Sequence, residues 1–194
     1  LGIFPHPGSS HFAVFRPLLI NLAKKGHELT IISHFPLESP PKTYTDISIR
    51  GSTPLFKAIF TFEKFTNYSK DFEFIKQWRN GQLLLNVGYN NCKAMMDNEI
   101  VKKLEPNQFD ILLVEDFNSD CAMGLVYKLN APFSGLTTNT PMPWTPDNLG
   151  LISNPAFIPT HFLGNGVRPN LFQCIESFFS TLYFRWYFYF FSQI

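Results

Sequence analysis

Apolar residues open the chain without interruption at Leu1–Phe4, and a loop of Pro, Gly and Ser closes the run at Pro5–Ser10. That is the pattern of a short buried strand. From His11 to Lys25 the spacing changes, and Phe12, Phe15, Leu18, Leu19, Leu22 and Ala23 fall along one helical face. Ser9 or Ser10 is placed to cap the N-terminus of that helix, Lys24 and Lys25 suit its C-terminal dipole, and Gly26 is placed to end it. Pro17 predicts a kink or a shorter first segment. Glu28–Ser33 returns to a β-branched strand pattern, so a strand, a helix and a strand follow one another within about thirty residues, the length of a right-handed βαβ unit.

Beyond it, Phe35–Thr53 is Pro-rich and polar, with a short strand expected near Asp46–Ile49. Leu55–Tyr68 and Asp71–Val101 carry mostly helical patterns, with a break expected at Gly81 or Gly88. Phe109–Val114 predicts another buried strand, Cys121–Lys128 a helix and Pro132–Thr137 a strand. Strands that alternate with helices in this way predict an α/β fold, a parallel, doubly wound sheet. Thr138–Asn170 is rich in Pro, Asn and Gly and is expected to wrap the surface, and the segment from Phe178 is crowded with aromatic residues. No internal repeat is present.

Length and composition narrow the function classes. At 194 residues the chain can bury the core of one domain. A formal net charge of +1 without a Lys/Arg stripe offers nothing for nucleic acid, because phosphate binding needs concentrated basic surface. Cys92, Cys121 and Cys174 are far apart and odd in number, so neither a zinc knuckle nor a closed disulfide framework is expected. Three buried or inert thiols are the expectation, with one oxidised pair as the alternative in a secretory compartment. The chain begins inside an apolar run without Met, so the lack of a visible leader decides nothing.

Candidate chemistry gathers at two places. His11 stands where the loop after the first strand meets the first helix, the edge of an α/β sheet at which ligands bind. A helix N-terminus disfavours the imidazolium and keeps a His neutral, able to take a proton. Glu115 and Asp116 close the strand FDILLV, and a carboxylate there can orient His11 and stabilise its protonated form. No GxSxG elbow accompanies them, which disfavours a hydrolase, and Pro5–Ser10 matches no phosphate-binding glycine motif. His6 lies near the same loop and could line a pocket; His27, His34 and His161 have no metal-ligand spacing. Asn67-Tyr68-Ser69 is a glycosylation sequon. The aromatic segment is barely long enough to span a bilayer and carries Arg185, which leaves interfacial contact or burial against other structure as the open readings.

On these residues the chain resembles the animal UDP-glycosyltransferases, the insect enzymes most closely. FPHPGSSHFAVFRPLLINLAKKGHELTIISHFP is similar to the family's first strand, catalytic-His loop, first helix and second strand. FDILLVEDFNSDCAMGLVYKLNAPF is similar to its later strand, acidic residue and following helix, and NPAFIP and LYFRWYFYF also have counterparts. The resemblance implies a Rossmann-like domain, the N-terminal, acceptor-binding half of a two-domain GT-B enzyme. It implies residues 1–170 as that domain and 171–194 as an aromatic helical segment facing a membrane or packing on a C-terminal domain.

The activity so implied is transfer of a hexose from a UDP-sugar to a hydroxyl of a small lipophilic acceptor. His11 would be the base, and its partner acid maps to Glu115, or to Asp116 if a gap is placed earlier; the family usually has Asp. No bound cofactor is implied, since the UDP-sugar is a co-substrate held mainly by the other domain. The family's His-Gly-Gly donor motif is absent from these residues, so this chain alone is expected not to transfer sugar, with a small-molecule binder or an inert fragment as the alternatives. The resemblance further implies an endoplasmic-reticulum lumen location and membrane attachment of the full-length protein.

Overall fold

The computed structural model describes residues 1–55, 73–156, 158 and 168–191. Five strands form one all-parallel sheet: β1 (Gly2–Phe4), β2 (Leu29–Ser33), β3 (Tyr44–Ser48), β4 (Leu112–Glu115) and β5 (Phe133–Leu136). Their order is β3-β2-β1-β4-β5, so the sheet grows outward from β1 in one direction and restarts on its other side with β4. The turning point lies between β1 and β4, where doubly wound sheets open a crevice at the carboxyl ends of the strands. The expected α/β, Rossmann-like architecture is therefore present.

Among the described residues the helices are α1 (Ser9–Lys24), α2 (Glu73–Met96), α3 (Glu99–Lys102), α4 (Ala122–Leu129), α5 (Thr145–Asn148) and α6 (Leu171–Phe191). Alternation along the strands sends side chains to two apolar layers. Ile3, Ile32, Ile47, Leu112 and Val114 point to the side that Met95, Val101 and Leu125 cover. Phe4, Ile31 and Tyr44 point to the opposite side, where α1 contributes Phe12, Phe15, Leu19 and Ala23.

Several local expectations change on contact with the rest of the chain. Gly8, not Ser9 or Ser10, is the N-cap of α1, and it caps without a side chain. Pro17 does not shorten α1: it is exposed, as is Ala13 one turn earlier, whose carbonyl loses an N–H partner but stays accessible to water. Leu18, counted on the apolar face, is 43% exposed. Gly81 and Gly88 both lie inside an unbroken α2, and the interruption falls after Met96, where Asn98 caps α3 by accepting from the N–H groups of Ile100 and Val101. The cysteines depart furthest from expectation: Cys92 and Cys121 form a disulfide, tying α2 to the entrance of α4, and Cys174 remains a thiol. Thiols 29 positions apart in sequence cannot be paired by reading spacings; the helix has to bring them together. The expected helix over residues 55–68 and the sequon at Asn67 lie outside the described residues, save Leu55, which is in no element.

The chain divides into two compact units, Leu1–Leu136 and Thr137–Ile194. In the second, Trp144 stacks on Phe188 at 4.4 Å, and Arg185 joins Asp147 at 3.1 Å while donating through Nε to the Pro143 carbonyl at 2.8 Å. Among the described residues no helix is long and apolar enough to cross a membrane.

Candidate active site

β1 ends at Phe4, and the chain turns through Pro5–Gly8 directly into α1, which places His11 on the first turn of the helix, above the carboxyl end of the sheet. Neighbouring β4 pairs in a register that sets Val114 beside Ile3, so Glu115 falls at the same edge. Two residues 104 apart in sequence thereby meet: His11 Nδ1 lies 3.0 Å from Glu115 Oε1. Glu115 is almost wholly buried, with 2% of its side chain accessible, whereas His11 keeps 20%. The arrangement leaves a carboxylate behind the ring and the ring between it and solvent. With Glu115 ionised, Nδ1–H donates to the carboxylate and Nε2 is left with its lone pair.

Burial raises the Glu115 carboxyl above its ordinary range, and the hydrogen bond and charge of His11, together with the backbone N–H of His6, act against that shift. Desolvation is the larger influence. The Ser119 hydroxyl donates to the Glu115 main-chain carbonyl and steadies the turn after β4. Asp116, the alternative partner, takes part in the sheet, where its N–H donates to the Leu136 carbonyl at 2.7 Å. His11 Nδ1 is hydrogen-bonded to Glu115.

His6 is buried beneath the candidate pair. It is 2% exposed and lies under His11, with ring centroids 4.3 Å apart, while Phe117 meets both rings at 4.9 and 4.7 Å. Desolvation first, then the charges of His11 and His34, lower its pKa from 6.5 to about 3, so it is neutral throughout the physiological range. The sequence placed His6 near the loop but held no sign of this stacking, because Phe117 arrives from the far side of β4. His34, at the end of β2, is also buried and lowered by desolvation, whereas His27 is exposed and His161 lies outside the described residues.

His11 and Glu115 meet at the switch point of a doubly wound sheet, and the wider comparisons decide the family. Residues 3–194 match the family described as UDP-glucoronosyl and UDP-glucosyl transferase. The chain belongs to the UDP-glycosyltransferase family. It is 28% identical over 191 residues to UDP-glucosyltransferase 2 of Dactylopius coccus, covering 98% of this chain and 36% of that protein. UDP-glycosyltransferase UGT5 of the same insect is 31% identical over 171 residues, covering 84% of this chain and 31% of its own length. UDP-glucuronosyltransferase 2B1 of Rattus norvegicus is 31% identical over 119 residues, or 55% of this chain and 22% of the rat protein. The chain thus spans about a third of the length of the insect UDP-glycosyltransferases it matches. No solved structure matches it.

Proposed function

We propose that this UDP-glycosyltransferase segment binds a small lipophilic hydroxylated acceptor and supplies the base for hexose transfer from a UDP-sugar. The observation that carries the reading is the 3.0 Å contact between His11 and a buried Glu115 at the carboxyl edge of β1 and β4. In the proposed step, Nε2 of His11 takes the acceptor's hydroxyl proton as that oxygen bonds to the anomeric carbon. The bond from that carbon to the UDP oxygen breaks, and UDP leaves with the electron pair. Glu115 keeps Nδ1–H directed toward itself and offsets the positive charge that His11 acquires. Donor binding is assigned to the part of the relatives' length that these residues do not match.

The test is turnover of a UDP-sugar with a phenolic acceptor by the full-length protein. His11→Ala should lower kcat by about 10²- to 10⁴-fold, the usual worth of a positioned base. A folded variant retaining wild-type kcat would sink the assignment. Acceptor binding by the full-length protein without any turnover would favour a small-molecule binder instead.

Membrane association and a lumenal location belong to the same proposal. Phe172, Ile175, Phe179, Leu182, Trp186 and Phe190 are exposed along one side of α6, while Ser177, Thr181, Phe184 and Phe188 are buried on the other. Aromatic-rich apolar stripes of this kind suit the interfacial layer of a bilayer. The Cys92–Cys121 disulfide supports an oxidising compartment such as the endoplasmic-reticulum lumen. Brominated phospholipid vesicles should quench Trp186 fluorescence in a variant whose other tryptophans are replaced by Phe; unchanged emission would count against membrane contact.

A further inference from the structure

The proposed reaction uses the ring of His11 and the carboxylate of Glu115, yet a third residue touches both. The backbone N–H of His6 favours the ionised form of the Glu115 carboxyl group, and the His6 ring is tilted 39° against the His11 ring at 4.3 Å. On its other sides the ring is enclosed. Phe117 presents an edge-on contact at 4.9 Å and 86°, and a Cβ built on Gly8 would lie 2.8 Å from both Cδ2 and Nε2 of His6. The absence of a side chain at residue 8 is what lets the loop close over the imidazole, which explains why a glycine holds the N-cap of α1 in place of a better-capping serine.

We infer that His6 is a positioning residue for the His11–Glu115 pair: its buried ring, confined by Gly8 and Phe117, fixes the plane of the His11 imidazole so that Nδ1 faces Glu115 and Nε2 faces the acceptor. The inference rests on the proposed role of His11 as base, but the geometry it concerns is independent of turnover. A packed flat ring removes the rotational freedom that a first-turn, part-exposed imidazole would otherwise have. Neutrality matters as well as shape. The titratable groups bearing on His6 are His11 from α1, His34 from the end of β2 and Glu115 from the end of β4. A charged His6 would repel the imidazolium that forms on His11, while a neutral one lets Glu115 be the charge that His11 meets.

The experiment is ¹⁵N NMR of the imidazoles in the chain, read as the tautomer of His11, alongside kcat and KM in the full-length protein. Wild type should carry the His11 proton on Nδ1. His6→Ala should shift the tautomer toward a mixture and lower kcat at least tenfold with little change in KM for the UDP-sugar. His6→Phe, which restores a flat neutral ring, should recover most of both losses. Gly8→Ala keeps His6 but pushes on its ring, and should disturb the His11 tautomer in the same direction. An undisturbed Nδ1–H tautomer in both His6→Ala and Gly8→Ala overturns the inference, as does a His6→Phe variant as impaired as His6→Ala. Because the NMR arm needs no catalysis, a wild type without transferase activity would overturn the functional proposal and leave this test intact.

Discussion

Gly88 of α2 lies so close to Asn118 that a Cβ on the glycine would come within 2.5 Å of the Asn118 side-chain oxygen. Asn118 is buried, adopts a left-handed φ of 56°, and donates from Nδ2 to the Leu84 carbonyl at 2.6 Å. Four residues beyond Gly88, Cys92 holds Cys121. Leu84, Gly88 and Cys92 recur every four residues, one face of a helix, and together they clamp the turn that follows Glu115 and carries Phe117 away from β4.

Gly88→Ala should therefore destabilise the fold even though alanine is the better helix former. The gain in propensity is about 1 kcal/mol, whereas overpacking a buried contact costs about 1–3 kcal/mol. The expected balance is a loss, since Asn118 is held by its own hydrogen bond and cannot swing aside freely. Urea unfolding measures it. A midpoint above that of wild type would show that the turn yields at no cost.

Reducing the Cys92–Cys121 bond should lower stability by about 2–4 kcal/mol, the usual effect of releasing a loop of this length. The double variant Cys92→Ala/Cys121→Ala should start near the reduced wild type and no longer respond to dithiothreitol. Equal unfolding midpoints with and without reductant in the wild type would contradict the expectation.

If His11 is the base, Glu115→Gln should reduce kcat by about 10²- to 10⁴-fold, because an uncharged amide neither enforces the tautomer nor offsets the imidazolium. The loss should exceed that of Asp116→Asn, since Glu115 is the acid within 3.0 Å of His11. Parallel kinetics of the two variants decide the matter, and the reverse ranking would move the partnership to Asp116.

Acid should unfold the chain partly through His6. Its pKa is about 3 in the folded protein against an ordinary 6.5, so the unfolded chain binds the extra proton below pH 6.5. The His6 contribution is complete above that pH and is lost as pH falls toward 3, by about 2 kcal/mol between pH 7 and 5. His34, also lowered by burial, acts in the same direction. Glu115 acts oppositely: its carboxyl is raised by burial, so its penalty is greatest near neutrality and is relieved on acidification. His6→Phe isolates the first effect. The stability difference between pH 7 and 5 should shrink by about 2 kcal/mol in that variant, and an unaltered difference would show that His6 is not buried in its neutral form.

Local periodicity made most of the first unit legible. Leu1–Phe4, the helical spacing from Phe12 to Ala23, and the β-branched run ending at Ser33 each depend on neighbours within a few residues, and each became the expected element. The errors occurred where a local rule met the surroundings that the fold supplies. Pro17 and Gly88 are helix breakers by propensity, but the first faces water and the second is matched to Asn118 from another part of the chain.

By itself, then, the sequence determined the order of the five strands and the longer helices α1, α2 and α4 among them, the parallel doubly wound class, the family, and the location of His11 at the start of α1. These follow from patterns and motifs written in contiguous residues. Only the tertiary structure decided that Glu115 meets His11, that His6 lies beneath it, and that Cys92 pairs with Cys121. Adjacent residues at a strand's end point to opposite faces, so the choice between Glu115 and Asp116 turns on the register of β4 beside β1. That register is set by packing between segments about a hundred residues apart, and no local pattern carries it.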